Sequence, residues 1–146
     1  MIYVSLINTY SAQDISPHCR QLIQESLQWS AAVTGNGCEA SACIFGDMLK
    51  LIPDLDPQLP YSKKLALAQA SPVGAWAQCF NHSRPCQVSS TADFDVSGLP
   101  CPDMSRAGLR KKRAGPTAAC YIAHGRHCTV RRTPLLLIEC TPATGT

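Results

Sequence analysis

Cys101 closes the tetrapeptide Gly98-Leu99-Pro100-Cys101, and Glu139 closes the apolar run Leu135-Leu136-Leu137-Ile138. A thiolate is a strong nucleophile, and a carboxylic acid held beside it can hydrogen-bond a substrate and take up the charge that develops as sulfur adds. Such a pair suits covalent catalysis on an electron-poor ring. Between the two lie Arg106, Arg110, Lys111, Lys112 and Arg113, cations of the kind that meet phosphate backbones without reading sequence. A second chemistry-bearing set is Cys79-x-x-His82-x-x-x-Cys86, three ligands at zinc-like spacing with no evident fourth. Cys38, Cys43, His124, His127 and Cys128 form no better set. Cys79, Cys86 and His82 therefore read first as loop cysteines and a surface histidine, with no metal ligand assigned and a small zinc-binding module as the alternative. His124 and His127 read as helix-end or surface residues.

The elements that must position these groups follow from pattern. Ser16 and Pro17 make an N-cap and a first helical residue, and Cys19, Leu22, Ile23 and Leu27 follow at helical spacing. This predicts a helix over 17–33, ended by Gly35-Asn36-Gly37. Cys43-Ile44-Phe45 has the length of a buried strand and stops at Gly46-Asp47. Pro53, Pro57 and Pro60 mark a connection, 63–81 has the composition of a helix broken or kinked at Pro72 and Gly74, and 82–92 reads as a polar link. Residues 94–98 read as a strand, 99–116 as an irregular functional loop, 117–127 as a helix and 135–139 as a strand. Together these four make a βαβ unit, which sets Cys101 and Glu139 at neighbouring carboxyl ends of parallel strands, where open sheets bind ligands.

At 146 residues the chain has the length of one domain, and 45% apolar residues with 11 prolines imply a modest core and much loop. The net charge of +3 is unevenly spread: residues 1–100 hold 5 Lys/Arg against 8 Asp/Glu, and residues 101–146 hold 8 against 2. A basic C-terminal third favours a polyanionic partner. Nine cysteines, an odd number, with no segment patterned as a secretory signal, imply a reducing, intracellular setting. No apolar run approaches the roughly 20 residues a membrane helix needs, so no membrane partner is expected.

Gly98-Leu99-Pro100-Cys101, then Ser105, then Gly115-Pro116-Thr117, then Leu137-Ile138-Glu139 resembles, in order and spacing, the catalytic-loop segment of cytosine-5 DNA methyltransferases. That family has a Gly-Phe-Pro-Cys turn, a serine, a mobile loop, a Gly-Thr helix start and a strand ending in Glu-Asn-Val. The resemblance covers residues 94–142, about a third of the chain. It implies that Cys101 is the nucleophile that adds to carbon 6 of a flipped cytosine and that Glu139 grips ring nitrogen 3. Ser105, Arg106, Arg110, Lys111, Lys112 and Arg113 would lie in the loop that closes on the base and touches phosphates. Phe45-Gly46-Asp47 is similar to the strand end where the family contacts the adenine of S-adenosylmethionine, which makes Asp47 and Pro100 the expected cofactor-binding residues.

The sequence also departs from the family. Pro102 follows Cys101 where glutamine is common, Cys140-Thr141 follows Glu139 in place of Asn-Val, and a Phe-x-Gly-x-Gly loop for the methionine part of the donor is not found. The family's first strand and helix, its later arginine motif and its target-recognition region are not found either. The expectation is therefore one partial domain over 1–146: an α/β, incomplete Rossmann-like, S-adenosylmethionine-dependent methyltransferase core with an N-terminal helical segment. Residues 1–90 would be helix and loop with a donor-site strand near 43–47, and 91–146 would carry the Pro-Cys loop and the Glu strand. The expected function is that of a truncated cytosine-5 methyltransferase-like protein acting on DNA, or on RNA, nuclear if eukaryotic. A nucleic-acid-binding remnant without catalysis is the alternative.

Overall fold

Ser16 begins the first helix, α1 (Pro17–Thr34), as an N-cap whose hydroxyl accepts the Cys19 N–H at 3.4 Å. Pro17 sits where a missing N–H costs nothing, and Gly35 ends the helix in the left-handed region at φ 70°. The computed structural model describes residues 3–5, 11–35, 42–88, 93–105 and 107–139. Two three-residue strands precede α1, β1 (Tyr3–Ser5) and β2 (Ser11–Gln13), neither of which the sequence pattern announces. Their connection is too short for a crossover, so they pair antiparallel.

β3 (Cys43–Phe45) follows as expected and lies parallel to β2, with α1 as the crossover between them. Asp47 then opens a short 3-10 turn, Met48–Leu51, by accepting the Leu49 N–H at 3.0 Å. The helix expected over 63–81 is corrected: α2 is Tyr61–Ala70, and beyond Pro72 and Gly74 the chain becomes a strand, β4 (Trp76–Cys79). The polar link expected at 82–92 is corrected as well, because Arg84–Gln87 forms β5 and closes a hairpin with β4. Pro85 is tolerated there because β5 is an edge strand. β6 (Phe94–Gly98), α3 (Ala118–Arg131) and β7 (Leu135–Glu139) follow, with α3 running past its expected end to a left-handed cap at Arg132.

The seven strands among the described residues join one sheet in the order β5-β4-β3-β2-β1-β6-β7. β2 and β3 are parallel, β6 and β7 are parallel, and β1 runs antiparallel to both β2 and β6, so β2, β3, β6 and β7 share one direction. The expected N-terminal helical segment is thus woven into the sheet, since five of the seven strands precede residue 91. The α1 crossover leads from β2 outward to β3, and the α3 crossover leads from β6 outward to β7 on the other side of β1. Ile44 packs with Ala12 and Ile23 of α1, while its neighbour Phe45 packs with Met48, Leu51, Ala68 and with Ala119, Ile122 and Ala123 of α3. Adjacent strand residues face opposite sides, so α1 covers one face and α2 and α3 the other. Among the described residues no helix is long and apolar enough to cross a membrane.

Candidate functional site

The parallel register of β6 and β7 sets Gly98 opposite Glu139, and the Leu99 N–H donates to the Glu139 carbonyl at 3.0 Å. Cys101 and Glu139 therefore stand at adjacent strand ends. A side chain at position 98 would begin 3.6 Å from Glu139 Oε2, so the carboxylate lies over the glycine three residues before the thiol. Cys101 is half-buried, and its thiol donates to the Leu99 carbonyl at 3.2 Å. The Cys101 carbonyl accepts N–H bonds from Met104 at 2.9 Å and Ser105 at 2.8 Å, which folds the chain back at once into a tight turn.

Asp103 organises the rest of that loop. Its Oδ2 accepts from the Thr117 hydroxyl at 2.6 Å and the Thr117 N–H at 2.9 Å, and its carbonyl accepts the Lys112 N–H at 2.9 Å. The Thr117 hydroxyl bond holds the Asp103 carboxyl below the usual carboxylate range against the opposing cost of burial. Lys64, fully buried, donates to the Gly115 carbonyl at 3.0 Å and ties α2 to the same point. Arg110, Lys111, Lys112 and Arg113 project from this scaffold and are exposed, with Arg110 and Lys112 in the left-handed region and Arg113 over the Tyr61 ring. Arg106 lies outside the described residues.

Asp47 and Pro100, far apart in sequence, line one cavity of about 280 Å³ at the carboxyl ends of β2, β3 and β6. Asp14, Ile15, Gly46, Pro116 and Cys120 complete most of its wall. Burial, with Asp47 nearby, pushes the Cys120 thiol up, so it presents a neutral wall. This crevice lies where the two crossovers diverge, the position at which open α/β sheets take ligands. A larger cavity of about 560 Å³, between α2 and α3, lies away from the strand ends and holds only Arg113 of the expected residues. The strand-end crevice is the better candidate because both expected cofactor residues meet there. Cys101 and Glu139 line neither cavity and stand at open strand ends.

His124 and His127, expected at a helix end or on the surface, are both buried on α3, at 2% and 4% exposure. The helical period turns them inward, and polar partners on β6 make the burial of His124 tolerable. Ser97 donates to Asp95 at 2.6 Å, leaving His124 Nε2–H to face the Ser97 hydroxyl at 2.9 Å and Asp95 at 3.2 Å. Cys128 donates to Asp95 at 3.6 Å, and burial pushes its thiol up to about 12, so it stays protonated. Hydrogen bonds thus link Ser97, Asp95, His124 and Cys128, and they fix α3 against the strand that delivers Cys101.

Toward the other edge of the sheet the structure supplies what the spacing lacked. Cys43, at the start of β3, stands beside Cys79 at the end of β4, His82 in the hairpin turn and Cys86 on β5. His82 Nδ1 lies 3.5 Å from Cys43 Sγ, 3.3 Å from Cys79 Sγ and 3.5 Å from Cys86 Sγ, and all four donor atoms lie within 4.8 Å of one another. Cys79 is fully buried and accepts the Ile44 N–H at 3.4 Å; burial, then the neighbouring Cys79, pushes Cys43 up to about 12. The reading of loop cysteines with a surface histidine is corrected, because strand pairing, which spacing does not encode, brings in Cys43 from 36 residues upstream of Cys79.

Comparison of the chain with protein-family models, with curated proteins and with solved structures finds no match.

Proposed function

We propose that this chain is a partial cytosine-5 methyltransferase-like domain: an incomplete Rossmann-like core that carries the donor crevice and the Cys101 loop. One observation supports it above the rest. Asp47 and Pro100, chosen from motifs 53 residues apart, line the same strand-end crevice. The sheet adds support, since β3-β2-β1-β6-β7 follows the doubly wound order 3-2-1-4-5 with only β1 reversed.

At about 280 Å³ the crevice lies just below the roughly 300–1,000 Å³ usual for whole ligands. Its size suits the nucleoside part of S-adenosylmethionine, in keeping with a sequence that has no glycine-rich loop for the methionine part. Asp14 and Asp47 are the carboxylates placed to meet ribose hydroxyls or the adenine edge, and Ile15, Pro100 and Pro116 supply apolar walls. The donor, when bound, supplies an electrophilic methyl group. Cys101 would form the bond to carbon 6 of cytosine, shifting the ring double-bond electrons to carbon 5, while Glu139 hydrogen-bonds nitrogen 3. Arg110, Lys111, Lys112 and Arg113 would hold phosphates and contribute affinity that falls with salt.

The test is incubation with a 5-fluorocytosine oligonucleotide and S-adenosylmethionine. A covalent band that vanishes in Cys101→Ser is expected. Folded protein that gives no band sinks the catalytic reading. The position of Cys101 and Glu139, outside both the strand-end crevice and the cavity between α2 and α3, favours a second reading in that event: a non-catalytic nucleic-acid-binding remnant, recognised by salt-sensitive DNA binding unchanged in Cys101→Ser.

A further inference from the structure

We infer that Cys43, Cys79, His82 and Cys86 form a structural zinc site that pins the edge hairpin to the body of the sheet. The inference stands apart from methyl transfer and needs no part of it. Zinc–sulfur bonds of about 2.3 Å and a zinc–nitrogen bond of about 2.0–2.1 Å at tetrahedral angles put sulfur and nitrogen about 3.6 Å apart. The three sulfur-to-Nδ1 distances, 3.5, 3.3 and 3.5 Å, match that edge.

Hydrogen bonding alone is a poor account of the same arrangement. A ring nitrogen carries at most one proton and can serve one sulfur at a time, yet three sulfurs crowd this one. A central cation satisfies all four donors together. Three thiolates and an imidazole are a soft set that selects zinc among common divalent ions, and four protein ligands leave no open position, so the site is structural and not catalytic. Binding sends the thiol protons of Cys43, Cys79 and Cys86 to solvent. The Ile44 N–H already points at Cys79 Sγ at 3.4 Å, the outer-shell bond that a zinc-bound thiolate uses to spread its charge.

The surroundings hold the ligands in place. Phe45 pairs with Cys79, and Ala77 pairs with Cys86, so β3, β4 and β5 each deliver a ligand to the sheet face opposite α1. The turn that carries His82 is fixed from three sides: the Phe80 N–H donates to the Ile44 carbonyl at 2.8 Å, Asn81 donates to the Ala42 carbonyl at 2.9 Å, and Arg20 of α1 stacks on Phe80 at 3.7 Å. A two-stranded hairpin of four-residue strands is marginal by itself. The metal joins it to β3, the strand that ends at Gly46-Asp47.

The chain purified without chelators under reducing conditions is expected to carry about one equivalent of zinc by mass spectrometry of the metal. Cobalt exchanged into it should show the absorption of a tetrahedral, thiolate-bound ion, and chelation should lower the thermal midpoint. Cys43→Ala should lose zinc affinity by more than the roughly 10–100-fold that outer-shell changes cost. His82→Cys should retain the metal, and Cys19→Ala, in α1, should match the wild type. Wild-type protein that neither retains zinc nor gives the cobalt spectrum overturns the site, as does a Cys43→Ala variant that holds zinc as tightly as wild type. The cobalt and chelation measurements on wild-type protein decide the matter if the variants do not fold. A disulfide among Cys43, Cys79 and Cys86 that persists in folded protein kept under reducing conditions would also overturn it.

Discussion

Gly115 shows how much one residue can carry in this molecule. A methyl group added there would begin 2.1–2.5 Å from the atoms of the Asp103 carboxylate, and that carboxylate is already committed to two bonds from Thr117. Gly115→Ala must therefore push Asp103 off the start of α3, and a loss of about 1–3 kcal/mol in urea unfolding is expected. Gly125 provides the contrast: it lies exposed within α3 with open space around its α-carbon, so Gly125→Ala should stabilise by about 0.5–1 kcal/mol. Equal effects from the two would refute the steric account. His127 argues from charge. Burial, then the adjacent Arg131, lowers it from 6.5 to about 3, with Asp95 opposing and His124 reinforcing the shift. Between those two values the unfolded chain binds a proton that the folded chain refuses, so stability must fall as pH drops from about 6.5 toward 3. The loss is on the order of several kcal/mol. His127→Gln should flatten that slope in thermal melts taken across the window; an unchanged slope would place the acid sensitivity elsewhere.

At the level of elements, legibility followed the strength of local signals. α1 was readable to within a residue at its end because Ser16, Pro17 and Gly35 each have a backbone reason to stand where they do. β3, β6 and β7 were readable as short apolar or alternating runs next to turns. β1 and β2 were not, because three residues carry no period, and what makes them strands is pairing with β6 and β3. β4 and β5 were misread for a related reason: Ala75, Ala77 and Gln78 favour helix locally, but Pro72 and Gly74 stop α2 and Cys79 finds a partner in Phe45. The candidate sites divide in the same way. Cys101 and Glu139 stand on elements that the pattern located, and the adjacency of their strand ends follows from one βαβ unit. Cys43 and its three companions depend on a pairing across β3, β4 and β5 that spacing along the chain cannot express. The burial of His124 was hidden too, since its polar partners Asp95 and Ser97 sit on a strand whose alternation looked ordinary.

For the whole molecule the two edges of the sheet differ sharply. β5 is short, carries Arg84 and Pro85, and is tied down by its hairpin, the kind of edge that discourages pairing with another chain. Among the described residues β7 has no such protection: Leu135, Leu136, Leu137 and Ile138 are 59%, 43%, 56% and 44% exposed. They are open because α3 directs its packing toward α2 and the Met48–Leu51 turn, so neither face of β7 is covered among the described residues. An apolar edge with a free row of backbone donors and acceptors is a template for strand addition. The chain at tens of micromolar is therefore expected to self-associate, and Leu136→Lys, which puts a charge on that edge, should shift it toward monomer in light scattering. The fold should survive, because β7 buries little apolar surface that the substitution could forfeit. If the distribution of sizes is the same for Leu136→Lys and wild type, β7 is not the surface through which copies meet. Two other exposed apolar residues, Trp29 and Val33 on the far part of α1, would then be the next place to substitute.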